Sequence, residues 1–173
     1  MKFQGAAYRA HNPRWSWNPL SGEGARIHGG RFNAKGVPTL YLSCDWATAV
    51  LEGSQGFAYR FPPLTIVTYD VDCDDVVDLS TPAGLRAHKV ARRDLGCAWQ
   101  VLAEKREAVP SREVADRFRK AGVAGIIVPS FAPNASKDAR NLVLWRWSSM
   151  LPHKVTIFDP EGRLPRDASS WRS

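Results

Sequence analysis

Short runs of apolar and β-branched residues recur along the chain and predict strands. The run at residues 65–71 is nearly continuous in apolar character, which favours a central strand covered on both faces. Five other runs are short and flanked by glycine, proline or polar residues, as buried strands are. These runs lie at residues 3–10, 40–42, 124–128, 141–145 and 155–158.

Apolar positions at helical spacing predict three helices between these strands. In the first, residues 46–52, one face carries Trp46, Ala49 and Val50, and Ser43 or Asp45 can cap the N-terminus. The second spans residues 96–107 and turns Trp99, Leu102 and Ala103 inward. The third begins at a capping Ser111 and packs through Val114, Ala115 and Phe118.

Two stretches have no such periodicity. Residues 11–28 contain two prolines, two glycines and two tryptophans, so we predict a long loop. Because long loops in compact domains often cover ligands, His11, Arg14, Trp15 and Trp17 are candidates to do so; the alternative is a loop held in place by aromatic packing alone. The chain is predicted to form one domain over residues 1–159, followed by a tail at 160–173.

Composition narrows the class of protein. The 173 residues are 44% hydrophobic and 24% charged, as in an ordinary globular domain, and the net charge of +7 favours acidic partners or substrates. The three cysteines match neither a disulfide framework nor a zinc site. With no apolar leader or 18-residue apolar run, we expect a reduced, cytoplasmic protein that neither crosses nor binds a membrane.

The stretch from residue 29 to residue 52 concentrates the candidate chemistry. Gly29 and Gly30 leave backbone amides uncovered beside the guanidinium of Arg31, and Tyr41 and Glu52 follow on the predicted strand and helix. A helix N-terminus nearby favours an anion. Together these features predict a cleft for a substrate that carries a diphosphate.

Several motifs, in order and spacing over residues 8–147, resemble the RES-domain family. They are Tyr8-Arg9, Gly29-Gly30-Arg31-Phe32-Asn33, Pro38 to Ser43, Glu52, Val128-Pro129-Ser130 and Asn141 to Leu144. The arginine, glutamate and serine that name the family look like Arg31, with Arg9 as a second candidate, Glu52 and Ser130. Phe32 stands where the family commonly has tryptophan, so an aromatic ring is kept.

The resemblance implies an α+β fold, a central mixed or antiparallel sheet flanked by helices, similar to ADP-ribosyltransferase toxins. It also implies a toxin of a toxin–antitoxin pair that consumes NAD as its substrate and is held by an Xre-like antitoxin. The acceptor of ADP-ribose is left open between water, phosphate and a protein such as phosphoribosyl pyrophosphate synthetase.

Site roles follow from the resemblance and from the chemistry of breaking the nicotinamide–ribose bond. Glu52, Arg31 and Tyr41 are the catalytic candidates, because a carboxylate favours the positive charge that develops on the ribose. The arginines would bind the diphosphate through several donors. The residues expected to bind NAD are Tyr8, Arg9, Gly30, Arg31, Asn33, Tyr41 and Ser130.

Other readings of the sequence carry less support. A basic nucleic-acid-binding module without enzymatic activity is the alternative, but the basic residues are dispersed and no nucleic-acid-binding motif appears. Five aspartates between residues 70 and 78 lack the glycine and terminal glutamate of a calcium loop, and the four histidines share no ligand spacing. We therefore expect no metal and no direct binding of nucleic acid.

Overall fold

A computed structural model describes residues 1–54 and 62–169. Its seven strands form one mixed sheet in the order β4-β5-β6-β2-β1-β3-β7. Only β4 and β5 run parallel; the other neighbours are antiparallel. The strands are β1 Phe3–His11, β2 Leu40–Ser43, β3 Thr65–Cys73, β4 Val76–Asp78, β5 Gly125–Pro129, β6 Arg140–Leu144 and β7 His153–Ile157.

Six α-helices accompany the sheet in the described part of the chain. They are α1 Glu23–His28, α2 Trp46–Gly53, α3 Pro82–Ala87, α4 Arg92–Leu95, α5 Trp99–Glu104 and α6 Pro110–Lys120. Strands and helices share one fold, so the prediction of a single α+β domain with a mixed sheet flanked by helices is confirmed. The boundary at residue 159 stays a prediction, although Leu164 beyond it packs against the core.

Hydrophobic clusters cover both faces of the sheet. On one face, inward residues of β2, β3 and β6 such as Leu42, Tyr69 and Leu142 pack with Leu20 and Trp147. On the other, Val128 and Val143 meet Phe32, Leu95 and Phe118. Because side chains alternate along a strand, Tyr41 and Ser43 of β2 share this second face with Asn141 and Val143 of β6.

The centre of the sheet opens between β1 and β2. Their register joins them through one pair, Tyr8 opposite Ser43, whereas β1 pairs with β3 along its whole length. Helix α2 packs over this opening, and Gly53 lies so close to β1 that an added Cβ would come within 2.7 Å of the Ala10 Cβ. The short β1–β2 joint thus leaves room for a cleft beneath α2.

Three predictions about the elements are wrong in detail. Residues 11–28 are not an irregular loop, because a 3-10 turn (Pro13–Trp15) and helix α1 form within them. The inward face of α2 carries Thr48 and Ala49, while Trp46 is 62% exposed. One face of β3 is also open, since Ile66 is 46% exposed.

The helices before β5 also differ from the prediction. Within the segment predicted as one helix over 96–107, only Trp99–Glu104 (α5) is helical, and a separate short helix, α4, precedes the segment at Arg92–Leu95. Ser111 does not cap α6; it lies buried in the first turn and donates to the carbonyl of Arg31 at 2.6 Å. Its hydroxyl therefore ties α6 to the candidate site.

Candidate active site

Glu52 lies near the C-terminal end of α2, where its carboxylate meets β6 and the residue that follows β5. Asp45 caps the helix by accepting from the amide of Thr48 at 2.7 Å, which fixes where α2 begins. The Glu52 Oε1 atom accepts hydrogen bonds from Ser130 Oγ at 2.7 Å and Asn141 Nδ2 at 2.5 Å. The exposed carboxylate is thereby held at the edge of the cleft.

Two adjoining cavities share Arg9, Tyr41, Glu52 and Asn141 in their walls. The larger, about 380 Å³, is also lined by Gly30, Arg31, Trp99 and Phe131. The smaller, about 220 Å³, adds Tyr8, Ser43 and Gly53. The larger cavity is thus lined by five of the predicted site residues: Arg9, Gly30, Arg31, Tyr41 and Glu52. A sixth, Tyr8, lines the smaller cavity.

Arg31 bridges the cleft to the segment between α4 and α5. Its Nη1 donates to the carbonyls of Leu95 and Cys97 at 3.3 and 2.7 Å, and its Cζ lies 4.7 Å from the ring centroid of Phe131. Burial lowers the pKa of Arg31, and the nearby Cys97, Glu52 and Tyr41 offset only part of that shift. In the described part of the chain no protein group bonds its Nη2, so one edge of the fork can bind an anion.

Asn33 and Ser130 do not line these cavities, but each contacts a residue that does: Asn33 contacts Tyr41, and Ser130 contacts Glu52. The buried Asn33 donates from Nδ2 to three carbonyls and accepts from the Tyr41 hydroxyl at 2.7 Å. A Cβ at Gly30 would lie 2.5 Å from that hydroxyl, so the close approach requires glycine. Burial raises the pKa of Tyr41, so its phenol stays neutral, and the residue lines the larger cavity.

Arg9 connects the cleft to a larger aromatic cavity of about 480 Å³. Its Nη1 donates to the carbonyl of Ser21 at 3.1 Å, and burial lowers its pKa. His11, Trp15, Trp17 and Ile27 are among the other lining residues, while Arg14 stacks on Trp15 instead. Both arginines therefore reach the cleft, from opposite sides of the β1–β2 opening.

His11 serves the fold rather than the chemistry. It is buried, and its Nε2 lies 2.8 Å from the Tyr69 hydroxyl, which donates to the carbonyl of Pro19 at 2.8 Å. Since that hydroxyl has one proton, Nε2 of His11 is the donor between the two rings. Burial, assisted by the charge of Arg9, lowers the pKa of His11 to about 3.

The depressed pKa of His11 predicts a loss of stability in acid. In the unfolded chain His11 takes up a proton near pH 6.5, whereas in the folded chain it stays neutral down to about pH 3. The stability that the neutral, buried His11 contributes is therefore complete above about pH 6.5 and is lost as the pH falls towards 3. The slope approaches about 1.4 kcal/mol per pH unit. In urea unfolding, the free energy of unfolding of the His11→Gln variant should depend less on pH than that of wild type. The control variant His28→Gln, which changes an exposed histidine, should keep the wild-type pH dependence. Parallel curves for all three proteins would contradict this assignment.

Sequence reasoning missed three residues of the cleft. The motif from Asn141 to Leu144 contains Asn141 but predicts no role for it, although an asparagine near the start of a buried strand is an unusual polar position that could have signalled one. The helical pattern predicts that Trp99 faces the core, yet it lines the cavity, and the Arg112 Cζ lies 5.4 Å from its ring centroid. Phe131, beneath Arg31, gave no local signal.

Among the described residues, no group of three histidine, cysteine, aspartate or glutamate side chains is placed to hold a metal ion. The aspartates of residues 70–78 instead make separate contacts: Asp72 pairs with Lys2 at 2.6 Å, and Asp78 accepts from Ser80. No helix within the described ranges is both long and apolar enough to cross a membrane.

Fold and site together define an α+β protein with a carboxylate, two guanidinium groups and a tyrosine around one cleft. The sequence matches the RES domain family over residues 6–167, and the chain belongs to that family. Its structure is similar to a chain of the M. tuberculosis MbcT–MbcA toxin–antitoxin complex, with a TM-score of 0.63 and 22% identity over 92% of this chain and 84% of that one. Among curated proteins, no sequence matches.

Proposed function

We propose that this protein is a toxin that consumes NAD by breaking the bond between nicotinamide and ribose. The observation that carries the proposal is the Glu52 carboxylate, held by Ser130 and Asn141 in the wall of a cavity that Arg9, Arg31 and Tyr41 share. Membership of the RES domain family adds support, because that family is expected to act on NAD.

In this reaction the electrons of the C1′–N bond leave with nicotinamide, and positive charge develops on the ribose. A fixed negative charge beside C1′ favours that transition state more than the ground state, which is the condition for faster turnover. Glu52 supplies the charge and can also accept a ribose hydroxyl. An acceptor oxygen then bonds to C1′ and releases its proton, which completes the transfer.

The other cleft residues would bind the rest of the dinucleotide. Arg31 and Arg9 reach the cleft from two sides, where their charges can hold the diphosphate between them. The Tyr41 ring offers a surface for the nicotinamide or ribose. The aromatic cavity beyond Arg9, at about 480 Å³, is of a size that can take the adenine end.

Loss of NAD on addition of the purified protein tests the proposed reaction. We expect nicotinamide to appear as NAD disappears, since the leaving group is common to every acceptor. Labelled NAD in cell lysate then separates the acceptors: label on a protein band indicates transfer to protein, and label only in small molecules indicates water or phosphate. A folded protein that leaves NAD intact in both settings would refute the proposal.

We further propose that an Xre-like antitoxin neutralises this protein. The similar solved structure comes from a toxin–antitoxin complex, and a net charge of +7 attracts an acidic partner, mainly by speeding encounter. Co-expression with the product of a neighbouring gene should restore growth and yield a complex on gel filtration. Growth arrest that persists, with no complex formed, would remove this partner.

A further inference from the structure

We propose that Ser43 and Asn141 position the Glu52 carboxylate, and that they decide which of its oxygens is presented to the substrate. The inference rests on the proposed role of Glu52 in NAD cleavage. Asn141 contacts the carboxylate directly and Ser43 acts through Asn141, so we assign both as positioning residues.

The sheet holds these two residues in register. Ser43 of β2 lies opposite Asn141 of β6, and Val128 of β5 flanks Asn141 on its other side. Ser43 is only 4% exposed, and its Oγ lies 2.8 Å from Asn141 Oδ1. The backbone ladder on both sides of β6 therefore limits how far Asn141 can move.

The hydrogen bonds have one consistent direction. An ionised carboxylate offers only acceptors, so the amide nitrogen of Asn141 must face Glu52 and its carbonyl oxygen must face Ser43. The Ser43 hydroxyl then donates to that oxygen. Turning the amide by half a revolution would set two acceptor oxygens against each other, which the Ser43 hydroxyl helps to prevent.

Ser130, the residue that follows the end of β5, completes the arrangement. Its hydroxyl accepts from the amide of Ala132 at 3.2 Å and donates to Glu52 Oε1 at 2.7 Å. Oε1 thus accepts two hydrogen bonds, while no group in residues 1–54 or 62–169 donates to Oε2. Oε2 is the oxygen left for a ribose hydroxyl or for the charge on C1′.

A carboxylate fixed in this way acts mainly on the rate. Electrostatic stabilisation depends on the position of the charge at the moment of bond breaking, whereas the diphosphate is bound by other groups. Loss of the Ser43 hydroxyl frees the Asn141 amide to rotate and lets the carboxylate swing. We therefore expect kcat to fall while KM changes little.

Steady-state NAD consumption by four variants tests the assignment. Ser43→Ala should lower kcat by about 5–20-fold with KM within about threefold, and Ser43→Thr, which keeps the hydroxyl, should restore most of it. Asn141→Asp keeps the shape but sets a second negative charge against Glu52, so kcat should fall by about 100-fold or more. Thr39→Val removes a buried hydroxyl before β2, away from Asn141, and should match wild type.

Near wild-type kcat in folded Ser43→Ala and Asn141→Asp proteins would overturn the inference. A second measurement does not depend on turnover: the side-chain amide protons of Asn141 should move in NMR spectra of Glu52→Ala and Ser43→Ala. Unchanged protons would equally overturn it. If the wild-type protein leaves NAD intact while the two variants show these NMR shifts, the proposed function is refuted and the hydrogen-bonded arrangement is supported.

Discussion

Glu52→Gln should abolish most turnover while leaving the fold and NAD binding in place. The glutamine carbonyl can take the position of Oε1 and keep the bonds from Ser130 and Asn141. What disappears is the negative charge beside the ribose. Removal of one preorganised electrostatic group typically costs about 10²–10³ in rate, or roughly 3–4 kcal/mol. Single-turnover NAD cleavage gives the rate, and calorimetry gives the affinity.

The matched control is Glu104→Gln, which removes the charge of an exposed glutamate at the end of α5. It should change turnover less than twofold, because exposed charges outside the cleft contribute little. Should the Glu52→Gln protein fold, bind NAD and still cleave it within a few-fold of wild type, Glu52 is not the catalytic carboxylate.

Arg31→Ala should have the second largest effect, on binding rather than on the chemical step. Loss of charge-assisted hydrogen bonds to a diphosphate predicts NAD affinity weakened by about 10–100-fold. Arg31→Lys keeps the charge and loses the fork, so a smaller loss of about 3–10-fold is expected. Calorimetric titration with NAD measures both variants.

The contacts of Arg31 add a structural consequence. Arg31→Ala also removes the donor to the carbonyls of Leu95 and Cys97, so unfolding free energy should fall by about 1–3 kcal/mol. Arg146→Ala is the control, since that exposed arginine also donates to a backbone carbonyl, of Gly122, outside the cleft. Unchanged NAD affinity in a folded Arg31→Ala protein would remove Arg31 from the binding site.

Most strands could be predicted from the sequence because their signal is local. β5 and β6 are short apolar runs between glycine, proline and polar residues, and such runs are buried in a sheet whichever strands they pair with. The N-terminus of α2 was equally readable, since Asp45 caps it through an amide three residues away.

Helix α1 shows where local reading fails. Its six residues contain glycine and bury no side chain, so it has no apolar stripe to detect. The prediction for Ser111 is wrong for another reason. Serine is typical of a helix cap, but the Ser111 hydroxyl donates instead to the carbonyl of Arg31, 80 residues away.

The sequence by itself placed Arg31, Tyr41 and Glu52 on a turn, a strand and a helix, since each motif is set by its neighbours in the chain. Only the tertiary structure decided what holds Glu52. Ser130 and Asn141 lie 78 and 89 residues from it, and they reach it because the sheet order sets β5, β6 and β2 side by side beneath the end of α2. That order depends on which faces bury together across the whole domain, a property that no single stretch of residues contains.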